Sequence, residues 1–422
     1  MLCVDRKIPI FAVNMVEKWR LQRAVFLMIL RVEMKRKVIA ICMTLMALVA
    51  KAGSTLMVDS LPNSHAVASD TTVLKKSFFR KVLDYFSLDG GGSATTNSTF
   101  SVLGGPHYDS VEGLALSVVG AASFRLNGCD SLSQLSNAQF TATYTTNNFW
   151  SLDLTTNMLF PNESRLMTTV AFEYHPSYFW GMGYANGNNP ANKTMQKKYL
   201  ANVQAELLFK VGDGFRVGPK VLWDYVNSDT IAKPELLEGQ DLVLRNYGIG
   251  VAAEYDTRDM VTDAKRGCYF YVAQIFRPKF LWNKYAFSTT EIQANYYTPL
   301  WRDCTLAAEF YGMLNFGNPS WAKMALPGDS HRMRGYYLGR YRDNHMLTTQ
   351  VELRQHIWGR HGMVVWAGGG SVFHNADGLK HFLPNFGVGY RFAFRRRMNI
   401  RLDYGFAKSG QTGFMFGLNE AF

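Results

Sequence analysis

Thr412-Gly413-Phe414-Met415-Phe416-Gly417-Leu418-Asn419-Glu420-Ala421-Phe422 is the stretch that decides the fold. Phe414, Phe416 and Leu418 fall on one side of an extended chain and Gly413, Met415, Gly417 and Asn419 on the other, because successive strand side chains point to opposite faces. The same alternation recurs upstream. Across 398–409, Asn399, Arg401 and Asp403 face away from Ile400, Leu402 and Tyr404. Across 385–395, Phe386, Val388, Tyr390, Phe392 and Phe394 oppose Gly387, Gly389, Arg391 and Arg395. Strands of soluble sandwiches alternate too, but they run to about 5 or 6 residues. These run to about 10, the length that crosses a bilayer at a tilt. Length therefore favours strands that span a membrane with their apolar sides outward.

Composition agrees once the front of the chain is set aside. Met34-Lys35-Arg36-Lys37, the apolar run 38–49 and Ala50-Lys51-Ala52 read as a secretory signal peptide over 34–52, with a core too short to span as a helix. Residues 1–33 read as an over-extended start, because Glu17, Lys18, Arg20 and Arg23 interrupt their apolar stretch. Residues 1–52 hold ten Lys/Arg against three Asp/Glu, so +7 of the formal +12 lies there and +5 remains. A nucleic-acid partner loses its main support with that charge. The remaining chain is rich in aromatics and glycine, with 14% aromatic and 18% charged residues and 36 Gly overall. No segment of it reaches the 18 or so consecutive apolar residues of a membrane helix. An exported, helix-poor chain of this kind points to the outer membrane. Cys129, Cys268 and Cys304 remain after the leader, and none shares a CxxC spacing. Cys268 and Cys304 fall two strands apart, about 9 to 10 Å, which is beyond disulfide reach. They read as small apolar residues.

Residues 53–98 form a lead-in in which Leu74, Phe78, Val82, Leu83 and Phe86 recur at helical spacing, a short basic amphipathic helix. From 99 onward sixteen strand candidates follow. The fold class expected for 99–422 is all-β, a 16-stranded antiparallel transmembrane β-barrel carrying that short N-terminal helix. Connections supply an independent sign. The segments 181–197, 227–244 and 318–344 follow odd strands and are long, whereas Pro161-Asn162-Glu163, Gly212-Asp213-Gly214 and Gly359-Arg360-His361 follow even strands. Long outer loops and short inner turns are the barrel pattern, with the N-terminus inside.

Three local motifs resemble those of the BamA/TamA superfamily of outer-membrane barrels, also called bacterial surface antigens. Tyr255-Asp256-Thr257-Arg258-Asp259 followed by Gly267 sits at an inner turn, Met333-Arg334-Gly335-Tyr336 sits in the long segment before the twelfth strand, and the chain closes with 413–422. The resemblance implies that the Arg-Gly-aromatic segment folds back inside the barrel. Arg334 would then be the inward arginine and Glu352, on the polar face of the twelfth strand, its partner. Arg334 as a solvated loop residue is the plainer alternative. The family's second acidic residue, expected on the thirteenth strand, is missing from Trp366-Ala367-Gly368-Gly369-Gly370, which implies a weaker lock. Asp256, Arg258 and Asp259 read either as a contact for periplasmic partners or as an Asp-stabilised turn with a local ion pair; the turn is the stronger reading. Only 45 residues, 53–97, precede the barrel after the leader, too few for the family's periplasmic modules beside a helix. A barrel-only member is expected.

Enzyme chemistry finds no footing. Gly368-Gly369-Gly370 lies inside a strand, so it is no phosphate cradle. His331, His345, His356, His361, His374 and His381 have neither helical pairing nor Cys/His spacing, so no metal or other cofactor is expected. The resemblance implies a barrel that aids insertion or translocation of proteins or lipids. Its partners would be outer-membrane lipid and nascent outer-membrane proteins or a periplasmic partner. Its seam would lie between 99–104 and 412–422, weakened by Pro106 and by Gly417, which would let the terminal strand ending at Phe422 bend inward. A passive pore or lipid-handling barrel without insertase activity is the alternative, and a surface barrel that displays its loops is a third.

Overall fold

Hydrocarbon offers a backbone N–H or C=O no partner, so the alternating segments satisfy one another in a single antiparallel sheet. The computed structural model describes residues 98–109, 113–126, 135–395 and 398–422. The leader, residues 53–97 with the helix expected there, and Cys129 lie outside the described residues. The first strands are β1 (Ser98–Asp109), β2 (Gly113–Phe124), β3 (Ser136–Thr145), β4 (Trp150–Leu159) and β5 (Arg165–Phe179). A short helix, α1 (Tyr184–Asn188), precedes β6 (Thr194–Gly212), β7 (Phe215–Ile231), β8 (Val243–Asp256), β9 (Gly267–Arg277), β10 (Phe287–Trp301) and β11 (Cys304–Gly317). After the long segment 318–344 come β12 (His345–Trp358), β13 (His361–Phe373), β14 (Leu383–Arg395), β15 (Met398–Ala407) and β16 (Thr412–Leu418). Each strand pairs with the next in sequence, and β16 makes no ladder with β1 among the described residues. The structure is thus one antiparallel sheet open at that edge. Among the described residues no helix is long and apolar enough to cross a membrane.

The two faces differ as the alternation requires. Val351, Val365 and Val388 on neighbouring strands are exposed on the outward face, while Gln350, Trp366 and Glu352 on the interior face are buried. Exposed aromatics collect at both ends: Phe280 and Trp282 between β9 and β10, Trp301 and Trp358 beside the short turns. An apolar band between two aromatic girdles is the exterior of a membrane barrel.

The interior is filled by the long connections. Trp321 of segment 318–344 packs with Phe179, Met182, Val226, Leu237 and Leu244, and its Nε1 donates to Asp241 O at 2.9 Å. Met333, Tyr336 and Tyr341 of the same segment pack with Tyr311, Met346, Val372 and Leu383. Burying a side chain of Phe size contributes about 1.5–3 kcal/mol, so this segment ties both halves of the sheet to one interior. On α1, Tyr184 stacks on His381 at 4.2 Å and its hydroxyl accepts from Lys408 Nζ at 2.6 Å. The connection after β5 therefore meets those after β13 and β15, which requires the sheet to curl.

Two expectations change at the edges. The first strand is longer than 99–104: β1 has 12 residues and contains Pro106, in register with Leu116. An edge strand tolerates proline because half its N–H groups face no neighbour. The last strand is shorter than 412–422, ending after 7 residues at Leu418. Phe414 and Phe416 point outward as expected, but Phe422 has left the strand. Cys268 and Cys304 are free thiols.

The two faces should respond differently to charge. Val388→Arg, outward at mid-strand, should lower unfolding stability in phospholipid vesicles by about 2–4 kcal/mol. Gln204→Arg, on the interior face, should cost clearly less. Equal costs in denaturant titrations would contradict the assignment of faces.

Candidate functional site

The polar faces of β12, β14 and β15 converge on the segment that follows Met333. Met333 itself has φ 52° and Gly335 φ 107°, which turns Arg334 inward. Gly335 must be glycine: an added Cβ would sit 2.9 Å from the carbonyl carbon of Gly405, and one on Gly405 would meet Arg334 O at 2.6 Å. The segment lies directly on the β15 backbone. Tyr336, also buried, fixes its far end by donating to Pro384 O at 2.7 Å and accepting from Lys408 N at 3.1 Å.

Arg334 is fully buried. Its Nη1 donates to Asp403 Oδ2 at 2.8 Å, and its Nη2 donates to Gln350 Oε1 at 3.1 Å and to Glu352 Oε1. The guanidinium lies 3.8 Å over the Trp366 ring. The weak lock expected from the acid-free thirteenth strand gives way here: β13 supplies a cation–π face, and the second carboxylate comes from β15 as Asp403. Both acids are shared. Glu352 accepts from Arg354 Nε at 2.8 Å, and Asp403 accepts from Arg391 Nη1 at 2.5 Å. Arg391 Nε in turn donates to Glu420 Oε2 at 2.8 Å. The result is a chain of alternating charge, Arg354–Glu352–Arg334–Asp403–Arg391–Glu420, running over β12, β14 and β15, the long segment 318–344 and the residues after β16.

Asp403, Arg391 and Glu420 were not singled out as site residues. Asp403 and Arg391 do stand on the polar faces of their strands, which was the available signal. Glu420 offered none, because it sits at an outward position of the terminal alternation.

Gly417 does not bend the last strand. An added Cβ there would meet Arg401 Nη2 at 2.9 Å, so its bareness makes room for a buried guanidinium. The turn comes at Asn419, with φ 64°, a conformation asparagine tolerates better than most residues. It sends Glu420, Ala421 and Phe422 inward. Burial raises the Glu420 carboxyl, but Arg391 and Arg354 outweigh it and hold the group below the usual carboxylate range.

Asp256, Arg258 and Asp259 stand apart from this chain of charges. Arg258 forks onto Asp256 at 3.0 and 2.9 Å, and Asp259 accepts from the backbone of Lys265 at 2.9 Å. Burial acts to lower the Arg258 guanidinium, and Asp256 more than offsets it, leaving it raised. All of these contacts lie within one turn. Among the described residues no group of His, Cys, Asp and Glu could hold a metal ion.

Arg334→Ala would take one guanidinium partner from each of two buried carboxylates and should cost about 3–5 kcal/mol, read as an earlier urea midpoint. Lys210→Ala, which removes an exposed ion pair to Glu163, should leave the midpoint almost where it was. Equal midpoints would contradict a central role for Arg334.

No protein-family model matches the sequence, and no curated protein matches it. Solved structures do. BamA from Haemophilus ducreyi lacking POTRA domains 1–3 is 11% identical with a TM-score of 0.50, covering 77% of this chain and 70% of that one. CdiB from Escherichia coli is 10% identical with a TM-score of 0.50, covering 78% of this chain and 62% of that one, so this chain spans less than two thirds of CdiB. Both are outer-membrane β-barrel proteins. At these identities the likeness is one of fold, and the fold is that of the BamA and CdiB barrels.

Proposed function

We propose that the chain is a sixteen-stranded outer-membrane barrel that aids insertion or translocation of proteins or lipids, working through a seam between β1 and β16. One observation carries this reading: among the described residues β16 forms seven residue pairs, all with β15, and β1 pairs with β2 alone. Two strand edges thus present unpaired N–H and C=O groups, which are templates for an incoming strand. The likeness in fold to BamA and CdiB supports the same reading. Client strands would add to the β1 edge while the charge chain centred on Arg334 keeps β12 to β15 rigid. Nascent outer-membrane proteins are the proposed clients, and the surrounding lipid is the medium into which they pass.

The test is a reversible clamp. With Cys129, Cys268 and Cys304 replaced by alanine, cysteine pairs are scanned between Phe100–Leu103 of β1 and Phe414–Leu418 of β16 in vesicles. The oxidised pair should stop assembly of an added outer-membrane protein, and reduction should restore it. Full activity in the oxidised form would overturn an opening seam. Unchanged outer-membrane protein levels after depletion of the chain would favour the passive barrel instead.

A further inference from the structure

Continued as a strand, β16 would carry Glu420 and Phe422 on the outward face with Phe414, Phe416 and Leu418. The left-handed Asn419 reverses them, and their partners lie on other strands and on the segments 257–266 and 318–344. The Glu420 carboxylate is read by Arg391 Nε at 2.8 Å and Asn399 Nδ2 at 2.7 Å, with Arg354 Nε at 3.8 Å. The backbone is read as well. Glu420 N donates to Thr262 O at 3.3 Å, His331 Nδ1 donates to Ala421 O at 2.6 Å, and Arg354 Nη2 donates to Phe422 O at 2.9 Å. The Phe422 ring lies 6.3 Å from that of Tyr297 and under the Arg354 guanidinium at 4.9 Å, in a cluster completed by Ala264 and Ala307. Ala421, between the two anchors, is buried, so only a small residue fits there.

This is how a peptide is bound: a charge anchor, main-chain hydrogen bonds and an aromatic pocket. We propose that the interior face carries a peptide-binding site beside the short turns. It is occupied here by residues 420–422 and can accept in trans an extended segment with an acidic residue two positions before an aromatic one. The chain's own segment is tethered through β16, which gives it an effective concentration near millimolar and an advantage of about 10²–10⁴ over a free peptide. The site therefore opens to others only when the tether yields. Its occupancy can be read whether or not the seam between β1 and β16 opens.

The full chain in detergent micelles is compared with the double variant Glu420→Arg, Phe422→Ala, in which like charge expels the segment. Folding is checked by heat-modifiable migration, and release by proteolysis after Leu418. A fluorescein-labelled peptide copying 417–422 should bind the double variant at least about 100-fold more tightly than the unaltered chain. Replacing Glu by Gln or Phe by Ala in the peptide, or adding Arg391→Gln to the protein, should weaken binding at least about tenfold. Absence of binding to a folded double variant with a released segment would overturn the proposal. A segment that stays protected in that variant would overturn it too, because the named contacts would not be what holds it.

Discussion

Every backbone polar group in a bilayer must find its partner inside the protein, and among the described residues the strands meet that demand with their sequence neighbours, leaving two edges of the sheet open. Consecutive pairing from β1 to β16 satisfies the interior ladders. The alternation follows from the same constraint, since one side of each strand meets hydrocarbon and the other meets the interior. The edges of β1 and β16 are where the demand goes unmet, and the proposed activity is placed there because unpaired edges are reactive surfaces rather than passive ones.

A second demand follows from the first. Interior faces carry polar groups, and charges removed from water are costly unless paired and hydrogen-bonded. Arg334, Glu352 and Asp403 meet this condition together with Arg354, Arg391 and Glu420. Because each acid serves two guanidinium groups, the loop, the strands and the inward segment 420–422 depend on one another. The side of the sheet next to the free edge is thus rigid in its interior while its last strand is short. Trp366 adds a face contact where a further acid would have crowded the centre with negative charge.

Much of this was legible locally. Strand positions followed from two-residue alternation, and the long segment 318–344 falls between β11 and β12 as the spacing indicated. Arg334 and Glu352 were reachable through a motif resemblance, and geometry puts them in contact. Asp403 was visible as a residue on a polar face, but its pairing with Arg334 depends on sheet curvature that brings sequence positions 69 apart together. The edges misled for local reasons. Pro106 suggested a strand end because most strands have neighbours on both sides, and β1 does not. The apolar alternation ran through to Phe422, while the reversal at Asn419 is driven by Arg391 and Arg354, distant residues that no local pattern reveals.

The most direct measurement is a nitroxide scan of residues 412–422, one label at a time, in phospholipid vesicles, recording collision with oxygen dissolved in the bilayer. The account predicts high collision rates at 414, 416 and 418, low rates at 413, 415 and 417, and low rates at 420 and 422 after the reversal at Asn419. A period of two that continues unbroken to 422 would contradict the inward segment, and no period at all would contradict the membrane-crossing sheet itself.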